Sequence, residues 1–287
     1  MPTVITGKDC EVTFGPGLPA VIIGERINPT GRKKFASQLT SGNLDIVEKE
    51  AVSQKAAGAD ILDVNVGATD VKEEILLPLA VKKILEATGL PLCIDSANEK
   101  AIKAALTVYP HKPLINSVTG EEKSLGSILP LARDYNAAII GLTVDDNGIP
   151  SETSKRIKIA NKIVARAEAL GIPREDVVID CLAMASSADP ASALVTLEVI
   201  RIVTKDLQLS TTIGVSNVSF GMPERQTLTN SFLAMCIEAG LSAAIVDPTN
   251  SSLMYTLLSS TFLTGKDKYG DRFLTYYRQH HLLASLL

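Results

Sequence analysis

Glu25, Asn28, Asp63, Asn65, Asp95, Ser96, Asn116, Thr143, Asp145, Asp180, Ser216, Asn217 and Asp247 share one placement: each stands at or just past the end of a short apolar run. Carboxylates accept hydrogen bonds from amino and ring N–H groups, whereas side-chain amides both donate and accept. A set made of these two types suits a neutral heterocycle with several N–H donors and carbonyl acceptors. Histidine chemistry is poorly served, because the only histidines are His111, His280 and His281. His111 lies in Tyr109-Pro110-His111-Lys112, which leads into an apolar run instead of leaving one, and the other two are near the C-terminus. Neither a histidine-held zinc nor histidine acid–base catalysis is expected. No metal ligands are assigned, although carboxylates leave magnesium open. Any one Asp, Asn or Ser at such a position is equally a turn or helix-cap residue; the weight lies in the set.

The apolar runs are Pro19–Gly24, Asp60–Val64, Leu90–Ile94, Pro113–Ile115, Ala137–Leu142, Val177–Ile179, Thr212–Val215 and Ala243–Val246. Between them lie segments of helical period, among them Leu44–Ala57, Glu73–Ala87, Glu99–Val108, Ser154–Leu170, Ala191–Val203 and Glu224–Ala239. Ser151 and Thr153 are candidate caps, and Gly58, Gly89, Gly171 and Gly240 follow last turns, where a left-handed residue is wanted. Strand and helix in alternation imply parallel strands with right-handed crossovers. Eight such units close an α/β (β/α)₈ TIM barrel, whose chemistry sits at the carboxyl ends of the strands. The rival is an open doubly wound sheet. Against it, the first loop reads Gly24-Glu25-Arg26-Ile27-Asn28-Pro29-Thr30-Gly31 and not G-x-G-x-x-G. With no low-complexity linker, residues 1–287 are expected to form one domain.

A hydrophobic share of 46% with 4% aromatics and no Trp calls for an aliphatic core, as in buried parallel strands. The net charge of −4 offers no basic stripe for nucleic acid or an anionic membrane. No stretch reaches the roughly 20 apolar residues of a membrane span, and the first residues do not read as a signal peptide. A cytoplasmic location is expected. Cys10, Cys93, Cys181 and Cys236 are widely spaced, so no disulfide framework is expected.

The segments Gly24–Gly31, Leu62-Asp63-Val64-Asn65-Val66-Gly67, Ile94-Asp95-Ser96, Ile115-Asn116-Ser117, Ile179-Asp180 and Gly214-Val215-Ser216-Asn217-Val218-Ser219 resemble the pterin-binding methyltransferases. That family includes methyltetrahydrofolate:corrinoid protein methyltransferases and the folate domain of cobalamin-dependent methionine synthase. The resemblance implies a homodimeric barrel that binds tetrahydrofolate or 5-methyltetrahydrofolate as substrate. It implies that Asp95, Asn116 and Asp180 bond the pterin ring and that Asn217 sits beside N5, the nitrogen that carries the methyl. Arg225 resembles an arginine lining the folate site, Asp63 and Asn65 look like its support, and Glu25, Asn28 and Ser216 complete the candidate set. Asn217 and Asp180 are the residues assigned to the chemistry. After Ser219 the chain runs Phe220-Gly221-Met222-Pro223, a departure from relatives with a polar residue or a longer loop there.

The expected reaction moves a methyl group between N5 and the cobalt of a corrinoid. None of the three histidines stands in the D-x-H-x-x-G context of the family's corrinoid modules, so the corrinoid is expected on a separate partner protein. Because N5 passes through a state of positive character, Asn217 is expected to stabilise developing charge, not to act as an acid. The Asn-Pro-Thr-Gly loop favours the tetrahydrofolate-methylating component of a corrinoid-dependent demethylase. Alternatives are the methyltransferase acting on a corrinoid iron–sulfur protein in acetyl-CoA synthesis, a dihydropteroate synthase and a non-catalytic folate-binding protein. An aldolase lacks its strand-end lysine.

Overall fold

The computed structural model describes residues 1–284, with side chains through His280, so His281's side chain and residues 285–287 of the expected unit lie outside it. Eight parallel strands close into a barrel: β3 (Val21–Ile27), β4 (Ile61–Val64), β5 (Leu92–Asp95), β6 (Leu114–Thr119), β7 (Ala138–Leu142), β8 (Val177–Asp180), β9 (Ser210–Gly214) and β10 (Ala243–Val246), with β10 pairing back to β3. The barrel, and not the open sheet, is therefore the fold. Around it run α1 (Lys33–Thr40), α2 (Asp45–Ala56), α3 (Glu73–Thr88), α4 (Glu99–Val108), α5 (Glu122–Asp134), α6 (Thr153–Ala169), α7 (Ser192–Lys205), α8 (Arg225–Ala239), α9 (Ser251–Leu263) and α10 (Asp271–Ala284). None of the described helices is long and apolar enough to cross a membrane.

Gly58, Gly89, Gly171 and Gly240 all have positive φ, as their places after helix ends require. The expected caps at Ser151 and Thr153 are not used. Glu152 is the N-cap of α6, without a side-chain bond, and Thr153 is already helical.

Inward and outward side chains alternate along each strand, and this division makes two cores. The outer one packs Ile22, Leu62, Ile94, Ile115, Ile139, Ile179, Ile213 and Ala244 against the helices. The inner one fills the barrel with Val21, Ile23, Ile61, Cys93, Leu114, Ala138, Ile140, Val178 and Ala243. Its lowest members, Ile5 and Phe14, come from an antiparallel hairpin, β1 (Thr3–Thr6) with β2 (Glu11–Phe14), that the sequence reading did not contain. The hairpin closes the amino-terminal end of the barrel. Thr3 Oγ1 bonds Glu175 O at 2.6 Å and Ser210 Oγ at 2.7 Å, and Thr6 N donates to Lys112 O at 2.9 Å. His111 belongs to this same closed end, before β6, as expected.

Candidate functional site

Strand alternation places the polar residues. Two positions beyond the inward apolar residues Ile23, Ile61, Cys93, Leu114, Val178 and Ile245 come Glu25, Asp63, Asp95, Asn116, Asp180 and Asp247. The sheet that packs aliphatic side chains in its middle thus delivers carboxylates and an amide as its next inward layer, at the carboxyl ends of the strands.

The first strand needs a local irregularity to do this. The β3–β4 register slips between Gly24 and Ile27, a bulge of the kind that re-aims side chains near active sites. Gly24 permits α2 to close in, because a Cβ there would lie 2.4 Å from Gln54 Oε1. That same oxygen accepts from Arg26 N at 3.0 Å, satisfying the disturbed backbone. Arg26 then reaches sideways to Glu50 and to Asp247, 2.8 Å from each, and Arg32 joins it on Glu50. Burial works against the Glu50 charge, yet the bonds from Arg26 and Arg32 hold its carboxyl below the usual range.

Within the layer the residues pair off across strands. Asn65 Nδ2 donates to Asp95 Oδ2 at 2.9 Å, while Asn116 Nδ2 donates to Asp63 Oδ1 at 3.2 Å. Leu182 N donates to Asp180 Oδ1 at 2.7 Å. Behind Asp180, Arg156 is 1% exposed and donates to the carbonyls of Cys181 and Leu182 at 2.8 and 2.7 Å, which fixes the chain leaving β8. Burial raises three of these carboxyl pKa values to near neutrality: Asp180 to about 7, Glu25 to about 7 with Asp247 as a second cause, and Asp95 to about 6. Asp63 is lifted well above the carboxylate range by burial and by the charge of Asp95. The mouth accordingly holds carboxyl groups that take a proton near neutrality.

A cavity of about 390 Å³ lies over this layer, lined by Glu25, Arg26, Asn28, Thr30, Arg32, Asp63, Asp95, Asn116, Ser216, Asn217, Phe220, Ile245 and Asp247. A second space of about 830 Å³ extends from Asp95 and Asn116 toward the N-termini of α4 and α5. Of the expected residues, Glu25, Asn28, Asp63, Asp95, Asn116, Ser216 and Asn217 meet in the first cavity. Asn65 and Asp180 are not on its wall; Asn65 braces Asp95, and Asp180 sits in the inward layer, 7% exposed. Arg225 is also off the wall. Its guanidinium lies 4.4 Å over the Phe220 ring and bonds Ser219 Oγ and Ser216 O at 3.2 and 3.3 Å. It braces the 3₁₀ turn Val215–Ser219 that carries Asn217. Asn217 is exposed there, and among the described residues no protein group bonds its side-chain amide.

Residues 24–247 match the family described as pterin binding enzymes. The chain belongs to that family. Among its relatives, a methylcorrinoid:tetrahydrofolate methyltransferase of Eubacterium limosum is 29% identical over 267 residues, which cover 90% of this chain and 96% of that protein. Methionine synthase of Mycobacterium tuberculosis is 29% identical over 82% of this chain, a match taking in 21% of the synthase. Dihydropteroate synthase of Yersinia pestis superposes with a TM-score of 0.67 at 13% identity, covering 92% of this chain and 99% of the synthase. That of Clostridium difficile, solved in the presence of pteroic acid, gives 0.66 at 20%, covering 86% and 98%. At these identities the two synthases speak for the fold alone.

For this pterin binding enzyme, the sequence reading missed Arg26, Arg32, Thr30, Phe220 and Ile245 as cavity residues, and it named Asp247 only as a strand end. Arg26 had a detectable cue, since it directly follows Glu25 in the first strand-end loop. Phe220 had one too, as the first residue of the departure after Ser219, whereas Arg32 had none, because loop closure alone brings it to the wall. Asp145, counted among the strand-end residues, lies elsewhere: its loop pairs with Gly148 and borders a separate groove along α6.

Proposed function

We propose that this protein moves a methyl group between N5 of tetrahydrofolate and the cobalt of a corrinoid held by a separate protein, with tetrahydrofolate as the physiological acceptor. Asn217 carries the reading: an unengaged amide at the rim, above an inward layer of carboxylates and amides with no histidine. The donor set fits a pterin. Asp95 and Asp180 accept from the amino and ring N–H groups, and Asn116 both donates and accepts. The near-full-length likeness to a methylcorrinoid:tetrahydrofolate methyltransferase supports the direction.

In that direction the N5 lone pair displaces the methyl group, and positive charge builds at N5. The Asn217 amide oxygen accepts a hydrogen bond from N5–H that strengthens as the charge grows, lowering the barrier. Arg225 acts on Asn217 from behind, through the turn it braces. A homodimer, as in the resembled family, completes the proposal.

The test is methyl–cobalt cleavage followed spectroscopically, with methylcobalamin and tetrahydrofolate. Wild-type protein should bind tetrahydrofolate and turn over. Asn217→Ala should transfer at least about tenfold more slowly, as expected for one charge-stabilising partner. No tetrahydrofolate binding at millimolar concentration refutes the proposal; an unchanged rate removes Asn217 from it.

A further inference from the structure

Methylating N5 releases a proton, which a group on the cavity wall can receive. We infer that the Glu25 carboxylate is the proton acceptor for N5, an inference that rests on the methyl-transfer reading above. The step balances as follows. The N5 lone pair forms the bond to the methyl carbon, and the methyl–cobalt bond breaks with its electron pair left on the donor, which is reduced by two electrons. The N5–H bond breaks last, and its proton ends on Glu25. Asn217, too weak a base to keep that proton, stabilises the charge in transit.

Three observations single out Glu25. It shares a cavity wall with Asn217. Strand alternation continues the inward phase of Val21 and Ile23 to it, so it points where a ligand over the barrel must lie. Above all, its carboxyl is not engaged. Asp63 is bonded by Asn116, Asp95 by Asn65, Asp180 by Leu182 N, and Asp247 by Arg26 and Thr249, whereas among the described residues no donor bonds Glu25. A bond from a fixed donor favours the charged form of a carboxylate and occupies its oxygen, whereas a half-buried carboxylate without donors keeps both oxygens open to a proton. The charged groups around Glu25 are Asp247 just past β10, Asp63 on β4, and Arg26 beside it on β3, while Asp95 on β5 and Arg32 share the wall. Burial and Asp247 together outweigh Arg26 and lift the Glu25 carboxyl to about 7, a value suited to exchanging protons near neutral pH.

Glu25→Gln keeps the shape and removes the acceptor. Equilibrium binding of tetrahydrofolate is measured first, for both proteins. Wild-type binding with Glu25→Gln affinity within about threefold is the expected result; no wild-type binding overturns the functional reading and this inference with it. Single-turnover transfer from methylcobalamin is then followed from pH 5.5 to 8.5. The wild-type rate should rise with a midpoint near 7 and level off, while Glu25→Gln should be slower by about tenfold or more and lack that rise. An unaltered pH profile in a variant that binds tetrahydrofolate assigns the proton to another group and refutes the inference. A readout independent of turnover is the difference potentiometric titration of the two ligand-free proteins. One proton should separate them with a midpoint near 7, and a midpoint near the ordinary 4.5 refutes it.

Discussion

Asp180→Asn should make the ligand-free protein more stable at pH 8 while weakening its hold on tetrahydrofolate. Asp180 is 7% exposed, and burial raises its carboxyl from 3.8 to about 7. At pH below 3.8 both folded and unfolded chains carry the proton, and the residue costs nothing. Between 3.8 and about 7 the unfolded chain releases the proton while the folded chain keeps it, so stability falls as pH rises. Above about 7 the cost is complete. A displacement of roughly three pH units, at about 1.4 kcal/mol each, amounts to about 4 kcal/mol. Asn keeps an oxygen to accept from Leu182 N, which Asp180 does at 2.7 Å, and it has no charge to desolvate. Urea unfolding of both proteins at pH 4, 6 and 8, with m unchanged, should show the variant's advantage growing from near zero to about 4 kcal/mol across this range. Tetrahydrofolate affinity at pH 8 should fall, because the amide replaces one acceptor of pterin N–H groups. An advantage that does not grow with pH refutes the burial argument. Greater stability with unimpaired affinity leaves Asp180 a structural group and removes it from the pterin contacts.

Phe14→Ala removes a fully buried ring from the floor of the barrel and should cost about 3–5 kcal/mol of unfolding free energy; a loss under about 1 kcal/mol would mean that the hairpin is not part of the core. Gly24→Ala should be destabilising by about 1–3 kcal/mol, since the added methyl meets Gln54 Oε1 at 2.4 Å. It should also slow methyl transfer by displacing the neighbouring Glu25, whereas wild-type stability would show that α2 yields freely.

The barrel strands and the inward carboxylates are legible in the sequence for the same reason. A strand buried on both faces reads as an uninterrupted aliphatic run, so the first Asp or Asn after it marks the carboxyl end. Glu99–Val108 is found with unchanged bounds as α4 because Asn98 caps it, accepting from Lys100 N at 3.0 Å. The β1–β2 hairpin was not legible. Its strands have four residues each and only Thr3, Ile5 and Phe14 are fully buried, too few for a period-two pattern. Nor did α1, α5, α9 and α10 stand out: Gly126 and Pro130 break the helical pattern of α5, and α9 carries four serines and two threonines. Glu50 looks like any solvated residue of an amphipathic helix, and only the packing of α2 against the bulge turns it into the anchor of Arg26 and Arg32. The contacts of Arg225 were not legible. Its resemblance pointed to the folate, and its contacts point to Phe220 and the turn beneath Asn217.

The hairpin across the amino-terminal end has a consequence for traffic. With Ile5 and Phe14 sealing the floor, the layer of Glu25, Asp63 and Asp95 opens at the carboxyl end of the barrel, across the rim that Asn217 and Phe220 occupy and through the space beside Asp95 and Asn116. Two reactants that meet there share one doorway. Under the proposed methyl transfer, a small acceptor has to be seated before a protein-sized donor covers the opening, and the methylated product leaves only after that donor departs. The floor thus sets an order of arrival and departure, although no residue of it touches the chemistry.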